Sequence, residues 1–406
     1  MNERSNSEVT RRRFLQGAAA AGIGSVAGGL AADVNAAETT FPTNPLGRTK
    51  LQVTKVSYGS LHTAGGRGGA VLKSVVQAGV NMVHNSSTYT GGNAIRAMGK
   101  VFAANPGMRD KLVLCLKGKR DDLEPELDEM LTALHTDHVD IYLPTLHNPD
   151  PARLDQLRKL HDALKKKGKI KFAGFVCHGA LNDVFEMVLA KAPGYFDAAL
   201  LTTQPILAAK YANGGDIPKH INKKQLAKFK DEGPRYVENL GKLKKQGLGV
   251  ISMKSNAREA MKAGTRVFQA HCKTLLAAGC DTVLYTFGAI QEVHTLKQLD
   301  LRTTAMTPRE RRLADDFHRR WAGACLMCNR CTNSCPQGIP VNDLMRIRMY
   351  HEQGYDCNYA LHTYRDLPGD LPALASRCGD CTACSNACPV GLASADKVRQ
   401  VTSLFS

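Results

Sequence analysis

Val139-Asp140-Ile141-Tyr142-Leu143-Pro144-Thr145-Leu146 leads into a segment of helical period, Ala152–Lys167, and then into Ile170-Lys171-Phe172-Ala173-Gly174-Phe175-Val176-Cys177. Two short apolar runs rich in β-branched residues, joined by an amphipathic segment, read as one strand–helix–strand unit with parallel strands. The same alternation extends in both directions. Further runs are Val53–Tyr58, Val80–Asn85, Leu112–Lys117, Ala198–Gln204, Gly249–Lys254 and Thr282–Phe287, with helical segments such as Asp122–Leu134 and Arg258–Ala278 between them. Eight such repeats in about 250 residues predict an α/β chain closed into a (β/α)8 TIM barrel, with its functional groups at the C-terminal ends of the strands. The segment Ala208–Pro234, which carries Gly214-Gly215 and Pro218, is expected to form a lid or extra loop.

A second pattern follows the barrel. Cys325, Cys328, Cys331 and Cys335-Pro336 repeat as Cys378, Cys381, Cys384 and Cys388-Pro389, taking eight of the thirteen cysteines. This C-x2-C-x2-C-x3-C-P spacing resembles the bacterial ferredoxin run, in which three thiolates of one run meet one cube and the fourth meets the other. It predicts two [4Fe–4S] clusters, one on Cys325, Cys328, Cys331 and Cys388 and one on Cys378, Cys381, Cys384 and Cys335. Zinc favours separated cysteine pairs, and disulfides need no such repeat. Cys115, Cys177, Cys272, Cys280 and Cys357 show no paired spacing and read as buried or free thiols.

A hydrophobic fraction of 43% fits a globular chain with a sizeable core. Thr10-Arg11-Arg12-Arg13-Phe14-Leu15 resembles a twin-arginine export signal, followed by a mild Ala/Gly stretch and by Val34-Asn35-Ala36, where cleavage is expected. Residues 1–36 therefore read as a leader, 45–305 as the barrel and 306–406 as a small helical two-cluster domain. The route exports folded proteins, so the expected location is the periplasm. No run of about twenty apolar residues is present to span a bilayer. The formal charge of +17 falls to about +12 once the leader is removed and two anionic clusters are added. A basic surface points to an acidic redox protein or an anionic membrane face, and export argues against nucleic acid.

Four stretches of the barrel carry a family resemblance: Leu46-Gly47-Arg48-Thr49-Lys50-Leu51, Gly79-Val80-Asn81-Met82-Val83-His84-Asn85-Ser86 through Tyr89, Gly168-Lys169-Ile170-Lys171, and Gly249-Val250-Ile251-Ser252-Met253-Lys254. They resemble aldo-keto reductases, and with the cysteine tail they resemble the branch that carries a C-terminal ferredoxin-type domain. Ile339–Ala375, with Tyr350, Tyr364 and Pro372, is similar to that branch's helical spacer. The resemblance implies an oxidoreductase whose barrel mouth gathers Asp, Tyr, Lys and His, the tyrosine serving as general acid and the lysine lowering its pKa. Tyr89 and Lys117 fall on matching positions. The Asp position holds His84, and His147 stands at the histidine position, displaced by an insertion around Pro144-Thr145.

The resemblance also implies NADP(H) at the barrel mouth. Cys177 and His178 replace its nicotinamide-contacting Ser-Asn pair. Phe287-Gly288-Ala289-Ile290-Gln291 offers no charge where the family clamps a phosphate, leaving Lys254, Ser255, Asn256 and Arg258 as the cofactor-binding candidates. The Gly65–Gly69 stretch reads as a flexible connection. The leading expectation is an exported iron–sulfur oxidoreductase whose clusters relay electrons to or from a small carbonyl or alcohol, sugar-like in kind. A second is an electron-transfer or binding protein whose barrel has lost reductase activity. A third is a metal-dependent enzyme using His84, His147 and His178.

Overall fold

The computed structural model describes residues 41–212, 221–352 and 357–405; the expected leader, residues 1–36, lies outside them. Eight parallel strands close on themselves: β1 (Val56–Gly59), β2 (Met82–Ser86), β3 (Val113–Gly118), β4 (Val139–Pro144), β5 (Ile170–Cys177), β6 (Ala198–Thr202), β7 (Gly249–Met253) and β8 (Thr282–Tyr285), with β8 pairing β1. All eight expected runs supply a barrel strand. The first run divides, because Thr54 ends a hairpin (Thr43–Pro45 with Gln52–Thr54) before Val56 enters the barrel.

The helices, in chain order, are α1 (Gly68–Gln77), α2 (Asn93–Ala103), α3 (Leu123–Leu134), α4 (Pro151–Lys166), α5 (Leu181–Lys191), α6 (Gln204–Ala212), α7 (Lys223–Lys245), α8 (Ala257–Lys262), α9 (Thr265–Ala277) and α10 (Ile290–Leu296). The expected helix over Arg258–Ala278 is two helices. Gly264 at φ 119 breaks it, in a backbone region that side-chain-bearing residues avoid. The described part of Ala208–Pro234 is mainly helical, which corrects the lid reading. The Asn222 side chain and Gln225 form a reciprocal cap that starts α7, and the chain runs on through Pro234. Gly214, Gly215 and Pro218 lie outside the described residues.

Strand alternation sorts the barrel side chains. Met82, Cys115, Ile141, Leu143 and Val176 fill the interior, whereas Val83, Leu114, Leu116, Tyr142 and Phe175 pack under the helices. Leu46 and Val53 of the hairpin region join the interior core. With Met82 and Cys115 inward, His84 and Lys117 are inward too, one step nearer the C-terminal rim.

Beyond the barrel come α11 (Pro308–Trp321), α12 (Arg330–Asn333), α13 (Val341–Glu352), α14 (Cys357–Arg365), α15 (Leu371–Ser376), α16 (Ala383–Ala387) and α17 (Ser394–Phe405). Residues from Thr40 onward, barrel and helices alike, belong to one compact unit. The start of α11 is locked to α9: Glu310, within a Thr307–Glu310 capping box, accepts from Lys273 at 2.7 Å and from Gln269 at 2.6 Å. The second core, built from Ile339, Val341, Leu344, Ile347, Ala395 and Val398, lies among the helices that carry the cysteines.

Candidate functional site

The barrel mouth is roofed by α13. Asn342, Arg346 and Tyr350 are four residues apart and share one helix face. Asn342 donates from Nδ2 to the His178 carbonyl at 3.3 Å. Arg346 donates from Nη1 to the Tyr350 hydroxyl at 3.5 Å and pairs with Asp343. Lys254, just past β7, places its ammonium 5.4 Å from the centre of the Tyr350 ring. Its backbone is left-handed at φ 49, and Asn256 is left-handed at φ 63, an unusual pair for side-chain-bearing residues.

Lys117 sits beside Ser86 of β2 and Leu143 of β4 and is buried. Burial brings its ammonium down to about 7; Tyr350 opposes that change, while Lys254, Arg346 and Lys119 reinforce it. Burial first, then Lys117 and Lys254, hold His84 at about 3, so its ring is neutral at physiological pH. Neither His84 nitrogen has a hydrogen-bond partner among the described residues. Tyr89 packs its ring against His84 at 5.7 Å and edge-on against Tyr359 of α14 at 5.5 Å. Tyr359 in turn meets Tyr350 at 5.0 Å. For Tyr350, burial pushes the phenol up, but Lys254, Arg346 and Lys117 together outweigh burial and leave it at about 7.

His147 does reach the mouth. Its ring lies 3.8 Å from that of His178, and burial drives both imidazoles well below their ordinary range. His84 packs on Tyr89 instead, and among the described residues no group of three or more His, Cys, Asp or Glu side chains can hold a metal ion. The three-histidine metal reading is corrected accordingly: two of the rings stack on each other, and the third turns to an aromatic neighbour.

The four cofactor candidates separate. Ser255 is sealed in and bonded to His271. Lys254 and Asn256 line a cavity of about 280 Å³ that they share with Gln204, Trp321, Met345 and Cys325. Arg258 instead borders a groove of about 610 Å³ with Arg67, His62, Gly288 and Asn93. Charge absent from the turn after β8 thus comes from Arg67 and Arg258 on neighbouring segments. Cys177 alternates away from the mouth into the layer under the helices, donating its thiol to the Gly179 carbonyl at 3.1 Å.

The cysteines form two sets. Cys325, Cys328, Cys331 and Cys388 line one small cavity; Cys335, Cys378, Cys381 and Cys384 line another. Met327 and Asn329, left-handed at φ 55 and φ 63, curl the first run. Each Cys-Pro step closes the same turn: the N–H of Gly338 bonds to Cys335 and that of Gly391 to Cys388, both at 3.3 Å, with φ 67 at both glycines. Burial raises the Cys325 thiol to about 12 and the Cys328 thiol well above its ordinary value.

Asn342, Arg346, Tyr350, Tyr359 and Gln204 escaped the sequence reading of the site. For the first three, the four-residue spacing of Asn342, Arg346 and Tyr350 along one helix face was the available signal.

Residues 69–195 match the sequence profile of the aldo/keto reductase family. The class is therefore a closed (β/α)8 barrel, part of which is similar to that family. Among curated proteins, the 6-dehydroglucose reductase of Novosphingobium aromaticivorans is 25% identical over 182 residues, which cover 39% of this chain and 57% of that protein. The chain thus spans less than two thirds of this relative's length. An aldo-keto reductase from Bacillus halodurans, in its holo form, superposes with a TM-score of 0.50 at 16% identity, covering 70% of this chain and 96% of its own. A putative aldo-keto reductase from Pseudomonas aeruginosa gives 0.46 at 16% identity, covering 65% and 96%. The likeness to the Bacillus structure is one of fold.

The nicotinamide seat of the family does not fit these residues as arranged: Cys177 faces away, the His147 and His178 rings fill their own contact, and Asn342 is bonded across the end of β5. Each cysteine set lines one small cavity, while among the described residues no group of three or more such side chains stands ready to hold a metal ion.

Proposed function

We propose that this chain is an oxidoreductase of aldo-keto reductase type, acting on a small, sugar-like carbonyl or alcohol, with two [4Fe–4S] clusters as its electron relay. The observation that carries this reading is the cavity of about 280 Å³, whose walls include Lys254 of the barrel mouth and Cys325 of the first cysteine set. Pockets of this kind, at a domain boundary and on the C-terminal face of a barrel, are where such folds bind small molecules. Cys325, Cys328, Cys331 and Cys388 would hold one cluster; Cys335, Cys378, Cys381 and Cys384 would hold the other. When bound, such clusters give or accept single electrons. Gln204, Asn256 and Lys254 offer hydrogen-bonding groups to substrate oxygens, and Trp321, Met345 and Met349 offer an apolar wall.

Arg11 and Arg12 support an exported, periplasmic protein, and the basic chain suits an acidic redox partner; neither bears on the described residues. Among those residues, no helix is long and apolar enough to cross a membrane. Replacing both arginines with lysine should leave folded protein in the cytoplasm, and undiminished export would overturn the leader assignment.

The test of activity is mixing dithionite-reduced holoprotein with a panel of aldehydes and hexoses while following the visible bleaching of the clusters. Reoxidation by a panel member, lost in Lys254→Met with both clusters retained, is expected. Reoxidation by none would favour the second reading, an electron carrier with an inactive barrel, whose supporting observation is the neutral His84.

A further inference from the structure

The barrel mouth concentrates positive charge without the carboxylate that its family uses to balance it. Lys117 and Arg346 are buried, at 6% and 7% exposure, and Lys254 joins them from the end of β7. The charges bearing most on Lys117 are those of Tyr350, Lys254, Arg346 and Lys119; on Lys254 they are Tyr350 and Arg346. Asp343 pairs with Arg346 from the outer side of the helix and is 35% exposed. In the middle stands one phenol, Tyr350, buried at 5% exposure.

We propose that the Tyr350 phenolate is the counter-ion of the barrel mouth, supplied by α13 in place of the carboxylate that His84 replaces. Arg346 donates to the Tyr350 oxygen at 3.5 Å, Lys254 places its ammonium 5.4 Å from the ring centre, and both cations favour the ionised form. Every element packed around the ring bears on this balance. Lys117 comes from β3, Lys254 from the end of β7 and Arg346 from the same helix. Tyr359 of α14 packs its ring 5.0 Å from that of Tyr350 and stays protonated because burial, then Tyr350 and Tyr89, raise it well above its ordinary value. His84, His147 and His178 are neutral through burial and the neighbouring cations. Tyr350 is thus a positioning residue. It faces Lys254 at the wall of the 280 Å³ cavity and raises the Lys117 ammonium against the pull of burial, so docking of α13 completes the electrostatics of the mouth. Its effect on turnover rests on the reductase reading; the charge assignment does not.

The assignment is tested by ultraviolet phenolate difference spectra of the holoprotein against pH. Wild type should show one phenolate appearing near neutrality, absent from Tyr350→Phe and retained in Tyr89→Phe. Lys254→Met, which removes a cation, and His84→Asp, which adds a competing anion, should each raise the midpoint by about one pH unit or more. Both leave Tyr350 in place, so they decide the matter even where Tyr350→Phe does not fold. A midpoint unmoved by either variant, a signal lost with Tyr89 instead, or no phenolate below the ordinary tyrosine range would overturn it. Loss of turnover without any of these spectral outcomes would fall on the reductase reading alone.

Discussion

The Nδ2 of Asn342 donates to the carbonyl oxygen of His178 at 3.3 Å, tying the cysteine-bearing helices to the rim of the barrel at the end of β5. One turn along α13 follows Arg346, and another turn on comes Tyr350, so a single helix face closes the mouth. The bond is buried on both sides. Asn342→Leu should therefore cost about 1–3 kcal/mol, because a carbonyl loses its partner. Chemical denaturation would show the loss, and hydrogen exchange should quicken along α13 before the barrel strands. Uniform quickening would mean that the contact does not seal the mouth.

Cys335 is the last cysteine of the first run in sequence but lines the cavity of the second set. Cys335→Ser should lower iron content from about eight per chain toward four, and the surviving signal should be that of the Cys325 set. Electron paramagnetic resonance of the reduced protein separates the cases. Selective loss of the Cys325-set signal would mean that each run binds its own cluster.

The barrel was legible because period and length act together: eight apolar runs of strand length, separated by helical segments, leave few other closures. The placement of Tyr89 and Lys117 near the strand ends was legible through local stretches around β2 and β3. The roof was not. Arg346 and Tyr350 lie more than two hundred residues after Lys117, and only the folded chain brings them against it. His84 could be read as a departure, yet its neutrality depends on burial and on Lys117 and Lys254, which no local pattern reveals. The split at Gly264 and the run of α7 through Pro234 show the weaker reach of propensity beside tertiary packing.

Lys273 and Glu310 fasten α11 to α9 at 2.7 Å, with side-chain exposures of 5% and 11%. Burial alone would raise the Glu310 carboxyl, but Lys273, the Thr307 backbone and Gln269 outweigh it and hold it at about 2, below its ordinary 4.5. A carboxyl depressed by folding stabilises the native state above its unfolded pKa, and that stability disappears as pH falls through the folded one. Glu310→Gln should thus lower stability by about 2 kcal/mol at pH 7. The gap to wild type should shrink as pH falls from 4.5 toward 2. Urea midpoints of both proteins across that range check it, and a constant gap would show that charge is not the cause.

Turnover with NADPH should be poor in the wild-type chain, for reasons that lie at two places. In the groove of about 610 Å³, Arg67 and Arg258 offer charge to phosphates. At the barrel rim, the stacked His147–His178 pair and the Asn342 bond occupy the approach to a nicotinamide seat. A dinucleotide gripped only by its phosphates forgoes the contacts that align its reactive ring, and misalignment costs rate more than affinity. Wild type should therefore bind NADPH without carbonyl turnover approaching the ~10 per second common among enzymes. Asn342→Ala, which removes both the bond and the bulk at the rim, should raise turnover on an aldehyde panel more than it tightens binding. Arg258→Met should weaken binding by about tenfold, the loss expected for one charge-assisted contact. Fluorescence titration with NADPH and steady-state rates on the same panel separate the two effects. Rapid wild-type turnover would mean that α13 moves aside readily; unchanged NADPH affinity in Arg258→Met would place the phosphates elsewhere.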